Sequence, residues 1–255
     1  MKLRAPLLLL AAAILVAAPV GASRAASAGI RACLTDAAGN SGYTYAGHQA
    51  THRGHGVRAT ITAVRAPNVS AGHVAGWIGL GGPGQGAKGE NLWIQAGLGS
   101  MPGMGTFVYA EIVRSGREPQ FILLEENVEV GSSRRLAILE MSRRPERWRI
   151  WVNGKPVTSP VFLPGSAERW APIATAESWN GGAAACNSFA YRFERVSVSH
   201  GRGGSWFAFR PGYRFHDANY RLRQLAAPPA RDEARVLADG AAQGPAPYAF
   251  VATSS

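Results

Sequence analysis

Past residue 26, the apolar residues of this chain come in short runs, each closed within about ten residues by Gly, Pro, Asn or Ser. None keeps the i, i+3, i+4 spacing of an amphipathic helix, so helical bundles and alternating βα folds are excluded. Alternation or continuous apolarity over short runs predicts strands at 57–64, 76–80, 92–98, 107–113, 121–124, 128–130, 136–141, 148–152, 155–157, 173–179 and 189–198. Further strands are expected at 205–209 and 218–225, and 248–252 reads either as a last strand or as a frayed tail. About a dozen short strands without a βα rhythm predict an all-β chain, two antiparallel sheets packed face to face as a β-sandwich. A single domain over 27–255 is expected, with its core at 57–199 and a Pro/Ala-rich loop or linker at 226–246.

Local chemistry sharpens several of these elements. Asn153-Gly154 is a two-residue hairpin signal, because both turn positions want positive φ. Phe189 to Val198 has the clearest period of two, with aromatic and aliphatic side chains facing in and arginine and glutamate facing out. The run Gly81-Gly82-Pro83-Gly84-Gln85-Gly86 reads as a turn rather than a phosphate cradle, since no helix follows it. Residues 27–56 are small, polar and glycine-rich, and are expected to be a loose lead-in. Within them His48, His52 and His55 would line up for a metal only on a helix, which Gly47, Gly54 and Gly56 oppose; a solvated loop is expected and no metal.

The first 26 residues read as a secretory leader: Lys2 and Arg4, an apolar run from Ala5 to Val20, then small residues suited to cleavage near Ala22 to Ala26. That run is shorter than the roughly 20 residues a membrane-spanning helix needs, so a secreted, extracellular protein is expected, without a transmembrane span and as a monomer. Export would put Cys33 and Cys186 in an oxidising compartment, where a disulfide between them would close a loop of about 150 residues, worth up to ~5 kcal/mol. The net charge of +11 falls to +8 without the leader, with 24 basic against 16 acidic residues. An arginine-rich excess of this size suits an anionic polymer, and Arg143, Arg144, Arg147 and Arg149 are expected to form an exposed strip.

One amide and one carboxylate stand out against apolar runs. Gln95 lies within Leu92-Trp93-Ile94-Gln95-Ala96-Gly97-Leu98, and Glu177 within Ile173-Ala174-Thr175-Ala176-Glu177-Ser178-Trp179. If both runs are strands of one sheet whose alternate residues face a cleft, the two side chains meet although 82 positions separate them. Trp77-Ile78-Gly79-Leu80-Gly81-Gly82, the Gln95 run, Tyr109-Ala110-Glu111 and Ala176-Glu177 resemble, in order and approximate spacing, the glutamic peptidases (eqolisins) and their secreted bacterial relatives. The resemblance spans 57–199 and implies a concanavalin A-like β-sandwich, or jelly roll, with a cleft on its concave sheet. It also implies Gln95 and Glu177 as the catalytic dyad, with Trp77, Trp93, Tyr109, Glu111 and Trp179 in the substrate cleft. Where the family shows an apolar residue and Asp after Gln-Ala-Gly, this chain has Leu98-Gly99, so the cleft walls are expected to differ.

The chemistry also follows from the side chains. An ionised Glu177 can take a proton from water attacking a peptide carbonyl and return it to the leaving amine. Gln95 can donate its N–H to the developing oxyanion. The expectation is an acid endopeptidase-like protein acting on polypeptide, with no metal or organic cofactor. Two other readings carry different tests. The first is a non-catalytic, lectin-like module that binds extracellular glycan or another anionic polymer. The second is a glycosidase, for which Glu125 and Glu129 on one strand face offer the paired carboxylates.

Overall fold

A computed structural model describes residues 43–180, 187–217, 220–226 and 248–254. The leader, the expected Cys33–Cys186 disulfide and most of the 226–246 segment lie outside the described residues. Among the described residues there is no helix, and every strand pairing is antiparallel.

The first sheet comprises β1 (Tyr43–Ala50), β3 (His73–Gly82), β4 (Leu92–Ser100), β5 (Phe107–Val113), β6 (Gln120–Glu125), β11 (Ile173–Trp179) and β14 (Pro211–His216). Their order is β14-β1-β11-β3-β4-β5-β6. The second sheet is built from β2 (Gly56–Asn68), β7 (Ser133–Met141), β8 (Arg144–Val152), β10 (Val161–Phe162), β12 (Ser188–Ser199), β15 (Tyr220–Gln224) and β16 (Tyr248–Ser254). It runs β10-β8-β7-β2-β12-β16-β15, with β9 (Lys155–Pro156) beside β8 and β13 (Trp206–Ala208) beside β12. The expected two-sheet antiparallel sandwich is therefore the observed architecture.

Strand parity decides what each face of the first sheet does. Even-numbered residues such as Ile78, Leu80, Ile94, Leu98, Val108 and Ile112 face the second sheet and meet Ile61, Ile138, Trp148, Phe193 and Phe250 in one core. Each such side chain contributes about 1.5–3 kcal/mol when fully buried, so the inner face sets the register. The odd-numbered residues of the same strands are left to line the outer, concave face. They form a separate cluster of Ala75, Trp77, Phe107 and Tyr109.

The hairpin expected at Asn153-Gly154 is present, with φ of 51° and 82°. In β12, Phe189, Tyr191 and Phe193 face in, but so do Val196 and Val198, which a strict period of two would turn outward. A register shift between Glu194 and Ser197, with Arg195 at φ 53°, restores the apolar side to the core. Two readings are corrected. The lead-in is not loose throughout, since 43–50 is β1 and pairs with β11. Residues 128–130 are not a strand, because Val128 turns into the core while the chain loops between β6 and β7. Of the two readings of 248–252, the last strand is the one present: β16 sits between β12 and β15.

Candidate active site

The concave face is deep because its floor is glycine. A Cβ on Gly79 would stand 2.9 Å from the Trp77 ring and 3.0 Å from the Gln95 Cβ. One on Gly97 would stand 2.7 Å from the Trp77 Cβ. These glycines leave room for the Trp77 side chain against β4, and Trp77 and Gly79 line a cavity of about 590 Å³. Both Gln95 and Glu177 line it.

They do so from strands that are not adjacent. β3 runs between β4 and β11, with Gln95 opposite Gly79 and Glu177 opposite Ala75, so the pair straddles β3 with an offset of four residues along it. Each side chain has its own support. Gln95, 8% exposed, donates its amide N–H to the Tyr109 hydroxyl at 3.4 Å. Glu177, 5% exposed, has its Oε1 3.3 Å from Nε2 of His73. His73 is itself held between rings, edge-on to Tyr43 at 5.9 Å and tilted against Trp179 at 5.5 Å.

The remaining expected cleft residues share this face. Trp93 and Glu111 line the cavity, and the Trp93 indole N–H donates to Glu111 Oε1 at 2.8 Å. Burial pushes the Glu111 carboxyl above the ordinary carboxylate range; the Trp93 hydrogen bond opposes this, and the charge of Glu177 adds to it. Tyr109 is buried beneath Gln95 and stacks on Phe121 at 5.5 Å. Trp77 lines the cavity at 8% exposure, and its Nε1 has no hydrogen-bond partner among the described residues. Trp179 lies at the end of β11, stacked on Tyr43 at 5.9 Å, flanking rather than lining the cavity.

Sequence reasoning missed His73, Tyr43, Tyr45 and Asp217, all of which line the cavity. His73 shares the parity of Trp77 and Gly79, and Tyr43 and Tyr45 alternate on one side of β1; that spacing was the available signal. Asp217 follows β14 and carries no such pattern; its Oδ2 accepts the Tyr45 backbone N–H at 2.5 Å. Burial and the charges of Glu177 and Glu111 push the Tyr43 phenol up to about 12, so it remains a neutral donor. Among the described residues no group of three His, Cys, Asp or Glu is placed to hold a metal.

Other expectations resolve differently. His52 is exposed in the bend between β1 and β2, as expected, but His48 is buried on β1, where Nε2 lies 2.9 Å from the Tyr248 hydroxyl, and His55, in the same bend, has its Nδ1 2.6 Å from the buried Glu140. Glu125 is clasped by Arg134 at 2.5 and 2.8 Å, and Glu129 lies outside any strand, so these two do not form a facing acid pair. In the expected arginine strip, Arg143 and Arg144 are exposed, but Arg147 stacks over Phe162 at 4.9 Å and the Arg149 Nε is buried.

In structure the chain is similar to scytalido-glutamic peptidase with a peptide-based transition-state analogue, at 14% identity over 83% of this chain and 97% of that one, with a TM-score of 0.48. It is similar to SCP-B, a member of the eqolisin family of peptidases, in a complex with the tripeptide Ala-Ile-His, at 14% identity over 84% and 98%, with a TM-score of 0.44. It is also similar to the carbohydrate-binding module CBM66 from Bacillus subtilis, at 14% identity over 54% and 78%, with a TM-score of 0.32. At such identities the likeness concerns the fold alone. No protein-family model and no curated protein matches the sequence.

Proposed function

We propose that this chain is an exported peptide hydrolase of glutamic type, in which Glu177 activates water and Gln95 stabilises the oxyanion. The observation that carries the reading is that a buried carboxylate and a buried amide, from strands far apart in sequence, enter one glycine-floored cavity. Glu177 takes a proton from water as its oxygen bonds to the scissile carbonyl carbon, and the carbonyl oxygen becomes an oxyanion. Gln95 donates its amide N–H to that oxyanion, while Tyr109 orients the amide from below. The C–N bond then breaks as Glu177 passes the proton to the leaving amine. His73 holds the carboxylate in place through the contact at Oε1. Acidic pH suits the reaction, because the leaving nitrogen is then more readily protonated.

The test is cleavage of an unfolded protein at acidic pH in the presence of a chelator. Glu177→Gln is expected to lower kcat by at least about a hundredfold, and Gln95→Ala by about a hundredfold. Full cleavage by either variant would remove the mechanism. A second reading rests on the rings of Tyr43, Tyr45 and Trp93 around the cavity, surfaces on which sugar rings or polymer segments also stack. Glycan or anionic-polymer binding that survives Glu177→Gln, with no proteolysis, is the outcome that favours this binding module.

A further inference from the structure

The sandwich has a second outer face, on the side away from the cavity. Ile61, Ile138, Trp148, Phe193, Leu222 and Phe250 of the second sheet turn into the core, so the alternate residues of their strands turn outward. Those residues include Arg147 and Arg149 on β8, Arg135 on β7, Arg58 on β2, Arg192 on β12, and Arg221 and Arg223 on β15. Among the described residues Glu194, 3.2 Å from Arg192 Nε, is the only acid on that face. The cavity has the reverse polarity, with Glu111, Glu177 and Asp217 in its lining and no lysine or arginine.

Strand register turns these arginines into a track. Arg223 and Arg192 both stand opposite Val251, and Arg192 also stands opposite Thr62. Arg135 is opposite Thr60, and Arg149 is opposite Leu139, whose other partner is Gly56. The basic groups therefore descend from the level of Thr62 at β15 and β12 to the level of Gly56 at β8, with Arg135 and Arg58 between. They cross five strand spacings, roughly 24 Å. Two of the guanidinium groups are held on rings, Arg58 over Trp206 at 4.7 Å and Arg147 over Phe162 at 4.9 Å. Arg135, Arg149, Arg221 and Arg223 have no ion pair among the described residues. Like charges in a row repel, and a guest carrying negative charges at intervals relieves all of them at once.

The rings decide which polyanion fits. Binders of single-stranded nucleic acid stack bases on open aromatic faces, whereas here guanidinium groups lie over Trp206 and Phe162. Reading a duplex takes an element that enters a groove, and a sheet presenting its face offers none. A chain of sugar rings bearing carboxylates needs only planar forks at intervals, with Trp151 on the same face for ring contact. We propose that the outer face of the second sheet is a docking track for a linear acidic polysaccharide, which holds the protein while the cavity on the opposite side stays open. This docking does not depend on the chemistry assigned to the cavity.

The test is binding of the full chain to polygalacturonate, which carries one carboxylate per ring. The comparisons are its uncharged methyl ester and single-stranded oligothymidylate with the same number of charges. Polygalacturonate should bind at least about tenfold more tightly than either, and added salt should weaken that binding. Two triple variants remove equal charge from different places. Arg135→Gln with Arg221→Gln and Arg223→Gln, all exposed on the track, should weaken binding at least about tenfold. Lys88→Gln with Arg117→Gln and Arg169→Gln, exposed elsewhere, should stay within about twofold of the parent. Thermal melts of both triples should match the parent, so that a loss of binding is a loss of contact. Equal weakening by the two triples would reduce the effect to bulk charge and overturn the proposal. So would equal or tighter binding of the oligothymidylate or the ester, or no binding of polygalacturonate at all. Glu177→Gln should leave binding unchanged; binding lost in that variant and kept in the track triple would place the polymer in the cavity and also overturn it. Cleavage of an unfolded protein is scored separately, so the peptidase reading stands or falls by itself.

Discussion

Glu111 and Gly79 make opposite statements about how single residues shape the cleft. The Glu111 carboxyl has a folded-state pKa raised mainly by burial, so the folded chain holds that proton more tightly than the unfolded chain does. The folded state therefore carries no penalty below the ordinary carboxylate range, and stability is lost as pH rises through the raised value. Glu111→Gln should therefore melt at a higher temperature than the parent at neutral pH and lose that advantage in acid. Thermal melts at matched ionic strength across pH check this, and an advantage confined to acid would reverse the assignment. Gly79 works through space rather than charge. Even an alanine there puts a Cβ against Trp77 and the Gln95 stem, so Gly79→Ala should cost about 1–3 kcal/mol through overpacking. The displaced amide should lower kcat/KM by at least about tenfold. Urea melts together with peptide cleavage report both effects, and undiminished cleavage would mean that Gln95 acts from elsewhere or not at all.

At the level of elements, what could be read from the sequence was whatever repeats with a period of two or turns with a known residue pair. The runs at 92–98 and 173–179 were legible as strands because they are apolar on both faces, and the Asn153-Gly154 turn because only such pairs accept two positive φ values. The order β11-β3-β4 was not legible, since pairing partners are chosen by long-range packing rather than by local pattern. The β12 bulge escaped for a related reason: Glu194-Arg195 breaks the alternation, yet nothing local says that the chain corrects itself at Val196. β1 escaped because glycine and histidine dilute its pattern. Gly47 packs a bare backbone against Thr175, and His48 is buried against Tyr248 and Phe250. That histidine makes β1 sensitive to acid. Burial, aided by Arg214, lowers its pKa from 6.5 to about 4, so the folded state resists a proton that the unfolded chain accepts. Stability is full above 6.5 and falls as pH drops towards about 4. His48→Phe keeps the ring contacts, loses the Tyr248 hydroxyl contact and should flatten this slope. Urea midpoints measured on both sides of the window test it, and an unchanged slope would assign the acid sensitivity to another group.

On the scale of the whole molecule, the cleft depends on strands that never touch it. The concave sheet keeps its curvature by lying on the second sheet, where β16, among the last described residues, fills the place between β12 and β15. Phe250 stacks on Phe193 with centroids 4.5 Å apart and planes within 6°, and it also meets the His48 ring of the first sheet. The Ser254 hydroxyl accepts the Phe189 backbone N–H at 2.7 Å, which secures the far end of the same pairing. Removing 248–255 would uncover β12 along one edge and strand β15, opening a core whose burial exceeds the ~5–15 kcal/mol that separates folded from unfolded chains. The truncated chain should therefore show no cooperative melt and should bind a hydrophobic dye. Phe250→Ala is the graded version: loss of one ring from a filled core should cost about 3–5 kcal/mol while the cleft side chains stay in place. Peptide cleavage measured well below the lowered melting temperature should then match the parent within about twofold, because such a substitution changes how much protein is folded rather than how the folded cleft works. A truncated chain that still melts cooperatively would show that the two sheets close without β16, and that the concave face owes its shape to its own strands alone.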